Sequence, residues 1–84
     1  MDYDVVEVRP LGHLRLAVRF ADGLEGEIEF RPSHLHGVFA QLKDPEVFSK
    51  VRCEEGFVCW PDGTDLAPDA MHLAIREKGR WVLD

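Results

Sequence analysis

The chain has 84 residues, 45% of them hydrophobic and 31% charged, with a formal charge of −6 at pH 7; this is the composition of one globular domain spanning 1–84, and it excludes the disordered, collagen-like and membrane classes. Residues 1–30 hold seven acids and three bases and the remainder nine acids and seven bases, so no basic stripe forms to meet phosphates and direct nucleic-acid binding is not expected. Asp2 and Asp4 stand where a signal peptide carries positive charge, no apolar run approaches the roughly 18–20 residues of a membrane span, and two cysteines are too few for a disulfide framework, so a cytoplasmic protein with no membrane contact is expected.

Val5–Arg9 reads as a strand with Val6 and Val8 inward, closed by a Pro10-Leu11-Gly12 turn. His13 to Phe20 alternates strictly, with Leu14, Leu16, Val18 and Phe20 on one face, and Leu24, Gly26, Ile28 and Phe30 repeat the pattern. Only a three-residue Ala21-Asp22-Gly23 loop keeps the faces matched. It sets Phe20 opposite Leu24, Val18 opposite Gly26, Leu16 opposite Ile28 and Leu14 opposite Phe30, with Arg19 facing Glu25 and Arg15 facing Glu29 on the wet side. Gly23 takes the left-handed position that ends such a loop.

Beyond Pro32, Leu35, Val38, Phe39 and Leu42 fall at helical spacing, weakened by Gly37, which predicts one short irregular helix. Asp44-Pro45-Glu46 is a helix start, with Asp44 as cap and Pro45 at the first helical site, and predicts a second helix over Pro45 to Lys50 anchored by Val47 and Phe48. Val51–Cys53 and Phe57–Trp60 read as a hairpin turned by Glu55-Gly56, which puts Cys53 opposite Val58 and the two cysteines on opposite faces. After a Pro61-Asp62-Gly63 turn, Pro68 to Lys78 reads as a helix stopped by Gly79. Met71, Leu73 and Ile75 also alternate, which leaves a hairpin with Arg80–Leu83 open. The expected fold is thus α+β: an N-terminal three-strand antiparallel meander, two short helices, a second hairpin and a C-terminal helix.

No set of reactive residues stands out. Asp62, Asp65 and Asp69, with His72 three residues further on, are oxygen-rich, but they lack the glycine and closing glutamate of a calcium loop, and aspartates at turns and helix starts serve local N–H groups. His34 and His36 diverge on a helix, and neither Cys53 nor Cys59 has a neighbouring base. No catalytic residue, cofactor or metal is therefore expected. The structural positions are Gly23, Pro45, Gly56, Pro61 and Gly63, and the candidate binding residues are Trp60, Asp62, Asp65, Met71 and Trp81.

Three ordered blocks, F-x-D-G at Phe20 to Gly23, L-x-D-P-x-x-F at Leu42 to Phe48 and W-P-x-G-x-D-L-x-P-D at Trp60 to Asp69, resemble the bacterial family of small proteins called domain of unknown function 2442. The resemblance covers about residues 4–72 and leaves 73–84 as a tail. It implies a bacterial, intracellular α+β protein, in a gene arrangement suggestive of a toxin and antitoxin pair. No catalytic residue is established for the family, so none is carried over. Where the family commonly has Leu-Tyr after the Pro-Asp step, this chain has Met71-His72.

The function expected is a non-enzymatic interaction module, the antitoxin-like partner of a second small protein, acting by β-edge pairing or a patch near Trp60, Met71 and Trp81, with the Glu25, Glu27 and Glu29 row steering a basic partner. The same edges suit a homodimer. The alternatives are a transcription-regulatory component that works with a DNA-binding partner, and a small metal-dependent enzyme using Asp62, Asp65, Asp69 and His72.

Overall fold

The computed structural model describes residues 3–84 without the side chain of Val38; Met1 and Asp2 of the acidic N-terminus lie outside the described residues. Strands β1 (Val5–Gly12), β2 (Arg15–Phe20) and β3 (Glu25–Phe30) form the expected antiparallel meander. The β2–β3 register is the one that hydrophobic alternation demands, with Leu16 opposite Ile28, Val18 opposite Gly26 and Arg19 opposite Glu25. Gly23 closes the loop at φ 91°, and the Asp22 carboxylate accepts the Leu24 N–H at 3.0 Å.

Strand β1 departs from expectation at both ends. Val6 is exposed and Val5 is buried. The pairing sets Val5 opposite Phe20 but Glu7 opposite Arg19, so Val6 is an extra, bulged residue that lets Val5 and Val8, three apart, both turn toward the core. Pro10-Leu11-Gly12 belongs to the strand instead of a turn. The reversal falls at His13-Leu14, where Leu14 takes φ 69° while its side chain packs on the core and its carbonyl accepts the Phe30 N–H at 2.8 Å.

On the wet face Arg15 stands opposite Glu29 and Arg19 opposite Glu25 as expected, but the ion pairs form with other partners: Arg15 Nη2 meets Glu27 at 2.5 Å, Arg19 Nε reaches Glu7 on β1 at 3.2 Å, and Arg31 lies 3.6 Å from Glu29. Arg15 thus reaches a diagonal neighbour, Arg19 the residue opposite it on β1, and Arg31 a residue two positions back, and such exposed pairs add little to stability.

Two 3-10 turns, Pro32–His34 and Gly37–Lys43, replace the single irregular helix, because Gly37 at φ 59° starts a new segment. Helix α1 (Pro45–Phe48) is shorter than predicted but is capped as read, with the Asp44 carboxylate accepting the Glu46 N–H at 3.0 Å. Strands β4 (Arg52–Glu54) and β5 (Phe57–Cys59) follow, turned by Glu55 at φ 52° and Gly56 at φ 87°, with Cys53 opposite Val58 as expected. An unforeseen strand β6 (Asp65–Leu66) returns along β5 and makes a second sheet of order β4-β5-β6.

Helix α2 (Pro68–Lys78) has the predicted limits and ends where Gly79, at φ 78°, donates its N–H to the Ile75 carbonyl. The following residues are neither a tail nor the partner of a Met71–Ile75 hairpin. They form β7 (Arg80–Leu83), parallel to β3 with Trp81 opposite Ile28, which completes a sheet of order β1-β2-β3-β7. A parallel neighbour needs a long crossover, and α2 supplies its last leg.

The core lies between the two sheets and under α2. At its centre Phe30 meets Phe48 and Trp60 edge-on at ring distances of 5.8 and 6.0 Å. The buried Trp60 indole N–H donates to the Phe48 carbonyl at 3.1 Å. Helix α2 crosses the inner face of the first sheet over Gly26, where a Cβ would stand 2.4 Å from the Ile75 Cγ2 and 2.8 Å from the Gly79 carbonyl oxygen. Gly26→Ala is therefore expected to destabilise the fold by about 1–3 kcal/mol, because the carbonyl belongs to backbone that cannot yield; urea denaturation measures it, and an unchanged midpoint would contradict this close approach.

Candidate interaction surface

The candidate binding residues divide between interior and surface. Trp60 and Met71, expected on an interaction patch, are 1% and 0% exposed and belong to the core. Trp81 is half-buried against that core from β7. Asp62 sits in the Pro61-Asp62-Gly63 turn, where its carboxylate accepts the Thr64 N–H at 3.2 Å, the Thr64 hydroxyl at 2.9 Å and the Gln41 side-chain amide. Partial desolvation raises the Asp62 carboxyl, but the hydrogen bonds from the Thr64 backbone, Gln41 and the Thr64 hydroxyl outweigh it and hold the group below the ordinary carboxylate value.

Asp65 is exposed on β6, and Asp69 accepts the Ala70 N–H at 2.9 Å in the first turn of α2. Asp62 and Asp65 border one depression with Phe39 and Gln41, while Asp69 and His72 border another with Tyr3 and Arg76. The four side chains proposed as a metal set are thus not brought together, and among the described residues no group of three His, Cys, Asp or Glu is placed to hold an ion.

One polar pair could not be found by spacing. His72, 5% exposed, lies between the Tyr3 and Phe20 rings at 4.8 Å from each, and its Nε2 donates to the Asp22 carboxylate at 2.8 Å across fifty positions of sequence. Asp22 thereby ties the β2–β3 turn to α2. The Leu24 backbone N–H first, and then His72, hold the Asp22 carboxyl below its ordinary value of 3.8.

Among the described residues, the fold leaves one sheet edge without a guard. On the β1 side the ladder is broken by bulges at Val5/Glu7 and Pro10/Gly12, Pro10 has no N–H, and β1 packs against β4. Strand β6 has only two residues. Strand β7 carries no proline, no bulge and no inward-facing charge, and among the described residues it pairs with β3 alone.

Its outward groups follow from the ladder. The carbonyls of Gly79 and Leu83 accept the N–H groups of Glu27 and Arg31, so by alternation Arg80 and Val82 turn their N–H and C=O away from the sheet. Beside this edge a groove of about 410 Å³ runs between α2 and β7, with Ala70, Leu73, Ala74, Trp81 and Val82 along it and the charged Glu77, Lys78 and Arg80 among its lining. Leu73 is 47% exposed there. The Glu25, Glu27 and Glu29 row makes no uninterrupted acidic strip, because Arg15, Arg19, Arg31 and Arg80 stand among these acids.

A small α+β protein with a sealed aromatic core and one free strand edge is the class that these features define. The chain belongs to the family described as "Protein of unknown function (DUF2442)", whose model matches residues 5–77. The match runs further into α2 than the resemblance in sequence suggested and stops short of β7. No curated protein and no solved structure matches the chain. Among the described residues no helix is long and apolar enough to cross a membrane.

Because the folded-state Asp22 carboxyl titrates below its unfolded value, its pairing contributes stability fully above that value and loses it as pH falls through the lowered one. Asp22→Asn is accordingly expected to flatten the acid limb of the stability curve below about pH 4. Urea midpoints across a pH series read this, and an unaltered slope would remove Asp22 from the acid response.

Proposed function

We propose that this chain is a non-enzymatic protein-interaction module of the bacterial cytoplasm, which takes up an extended strand of another polypeptide along the outer edge of β7. The observation that carries the reading is the outward N–H and C=O of Arg80 and Val82 beside a groove whose apolar residues, Leu73 and Trp81 among them, are flanked by Glu77, Lys78 and Arg80. Edge addition draws affinity from backbone hydrogen bonds and specificity from alternate side chains. The strand that fits has apolar residues at the positions facing Trp81 and the groove, and a carboxylate placed to meet Arg80. Asp62 serves a turn and Asp69 a helix start in this reading, Asp65 stands exposed on β6, and His72 serves packing.

The second small protein suggested by the family's gene arrangement is the first partner to test. The chain, alone or co-expressed with the product of the neighbouring gene, is expected to elute from a sizing column as more than one copy. Val82→Pro removes an outward N–H and leaves the bonds to β3 intact, since proline is tolerated on a strand edge whose N–H faces outward. It is expected to return the chain to single-copy elution with its urea midpoint unchanged. An assembly that survives Val82→Pro, or single-copy elution of the wild type in both settings, would remove β7 from the binding role.

A further inference from the structure

We infer that the strand occupying the β7 edge is β7 of a second copy of this chain, so that two four-stranded sheets join as one continuous sheet about a two-fold axis. This rests on the reading of β7 as a docking edge and adds the identity of the occupant. The strand specified above is apolar at alternate positions with a carboxylate near one end. β7 meets that description itself: Trp81 and Leu83 face the core side, and Asp84 follows Leu83.

Antiparallel self-pairing must set core-facing residues opposite core-facing residues, since opposed side chains share a face. A register centred on Val82 does so. It places Val82 opposite the partner's Val82, Trp81 opposite the partner's Leu83, and Arg80 opposite the partner's Asp84. Val82 and Arg80 are also the residues whose backbone groups point outward, so the two Val82 residues exchange both hydrogen bonds on the axis and an Arg80–Asp84 pair forms on either side.

Opposite charges meet twice in this register, and no charge is carried into the apolar face. With the axis perpendicular to the sheet, both α2 helices lie on one face and their grooves adjoin. Leu73, half exposed in a single copy, is then covered, and the small side chains of Ala70 and Ala74 let the helices approach.

Sedimentation equilibrium of the purified chain tests the inference. A dimer is expected at micromolar concentration, and Val82→Pro is expected to abolish it. Arg80→Glu, which opposes two pairs of acids, should raise the dimer dissociation constant at least roughly tenfold. Arg80→Glu combined with Asp84→Arg restores opposite charges in the same register and should return the constant to near the wild-type value. Melting curves of all variants verify that each is folded. A wild type that sediments as a single copy overturns the inference, as does a dimer indifferent to Val82→Pro or a double exchange that leaves Arg80→Glu unrepaired. If the lone chain is a single copy while co-expression still gives a Val82→Pro-sensitive assembly, self-pairing is lost and the docking edge stands.

Discussion

The Trp60 indole is the joint on which the structure turns. It closes β5 in the second sheet, meets Phe30 of the first sheet edge-on and donates its N–H to the Phe48 carbonyl at the end of α1. Three elements far apart in sequence therefore share one buried ring, and the one polar atom of that ring is satisfied inside. A buried N–H without an acceptor costs far more than the bond itself contributes, so the position of the α1 carbonyl and the orientation of the ring are mutually specified. The bond also explains why α1 can be so short: its end is held from the core side and its start by the Asp44 cap.

From that joint the rest of the fold follows by close approach. Gly26 lets α2 lie directly on β3, and Gly79 then stops the helix and turns the chain back along the sheet. The Asp22–His72 contact secures the other flank of the same helix. The polar residues that look chemically interesting in the sequence are occupied in these duties. Asp62 shapes its own turn, Asp69 binds the next N–H of its helix, and Asp22 serves a turn and a histidine at once.

The distribution of protected and unprotected edges connects this architecture to function. Bulges, a proline and the packed second hairpin close the β1 side, whereas β7 is unbulged, apolar toward the core and unpaired on its outer side among the described residues. Unpaired strand groups beside apolar surface are able to recruit another strand, which is the physical ground for the docking edge proposed above. The groove next to β7 and the half-exposed Leu73 extend the same surface onto α2.

Local chemistry made much of the chain legible in advance. The β2–β3 register, the Glu55-Gly56 turn, the capped start of α1 and the limits of α2 all follow from alternation, positive-φ positions and caps acting within a few residues. The bulge at Val6 was not legible, since which of two adjacent valines turns inward depends on the strand alongside. Nor could Trp60 and Met71 be told from surface anchors, because large apolar side chains serve either place and only packing separates them. The composition and pattern of the sequence by themselves determined an α+β domain. Only the tertiary structure decided that Arg80–Leu83 becomes a fourth, parallel strand with a free edge, because parallel pairing is set by where a helix returns the chain and leaves no signature in the strand itself.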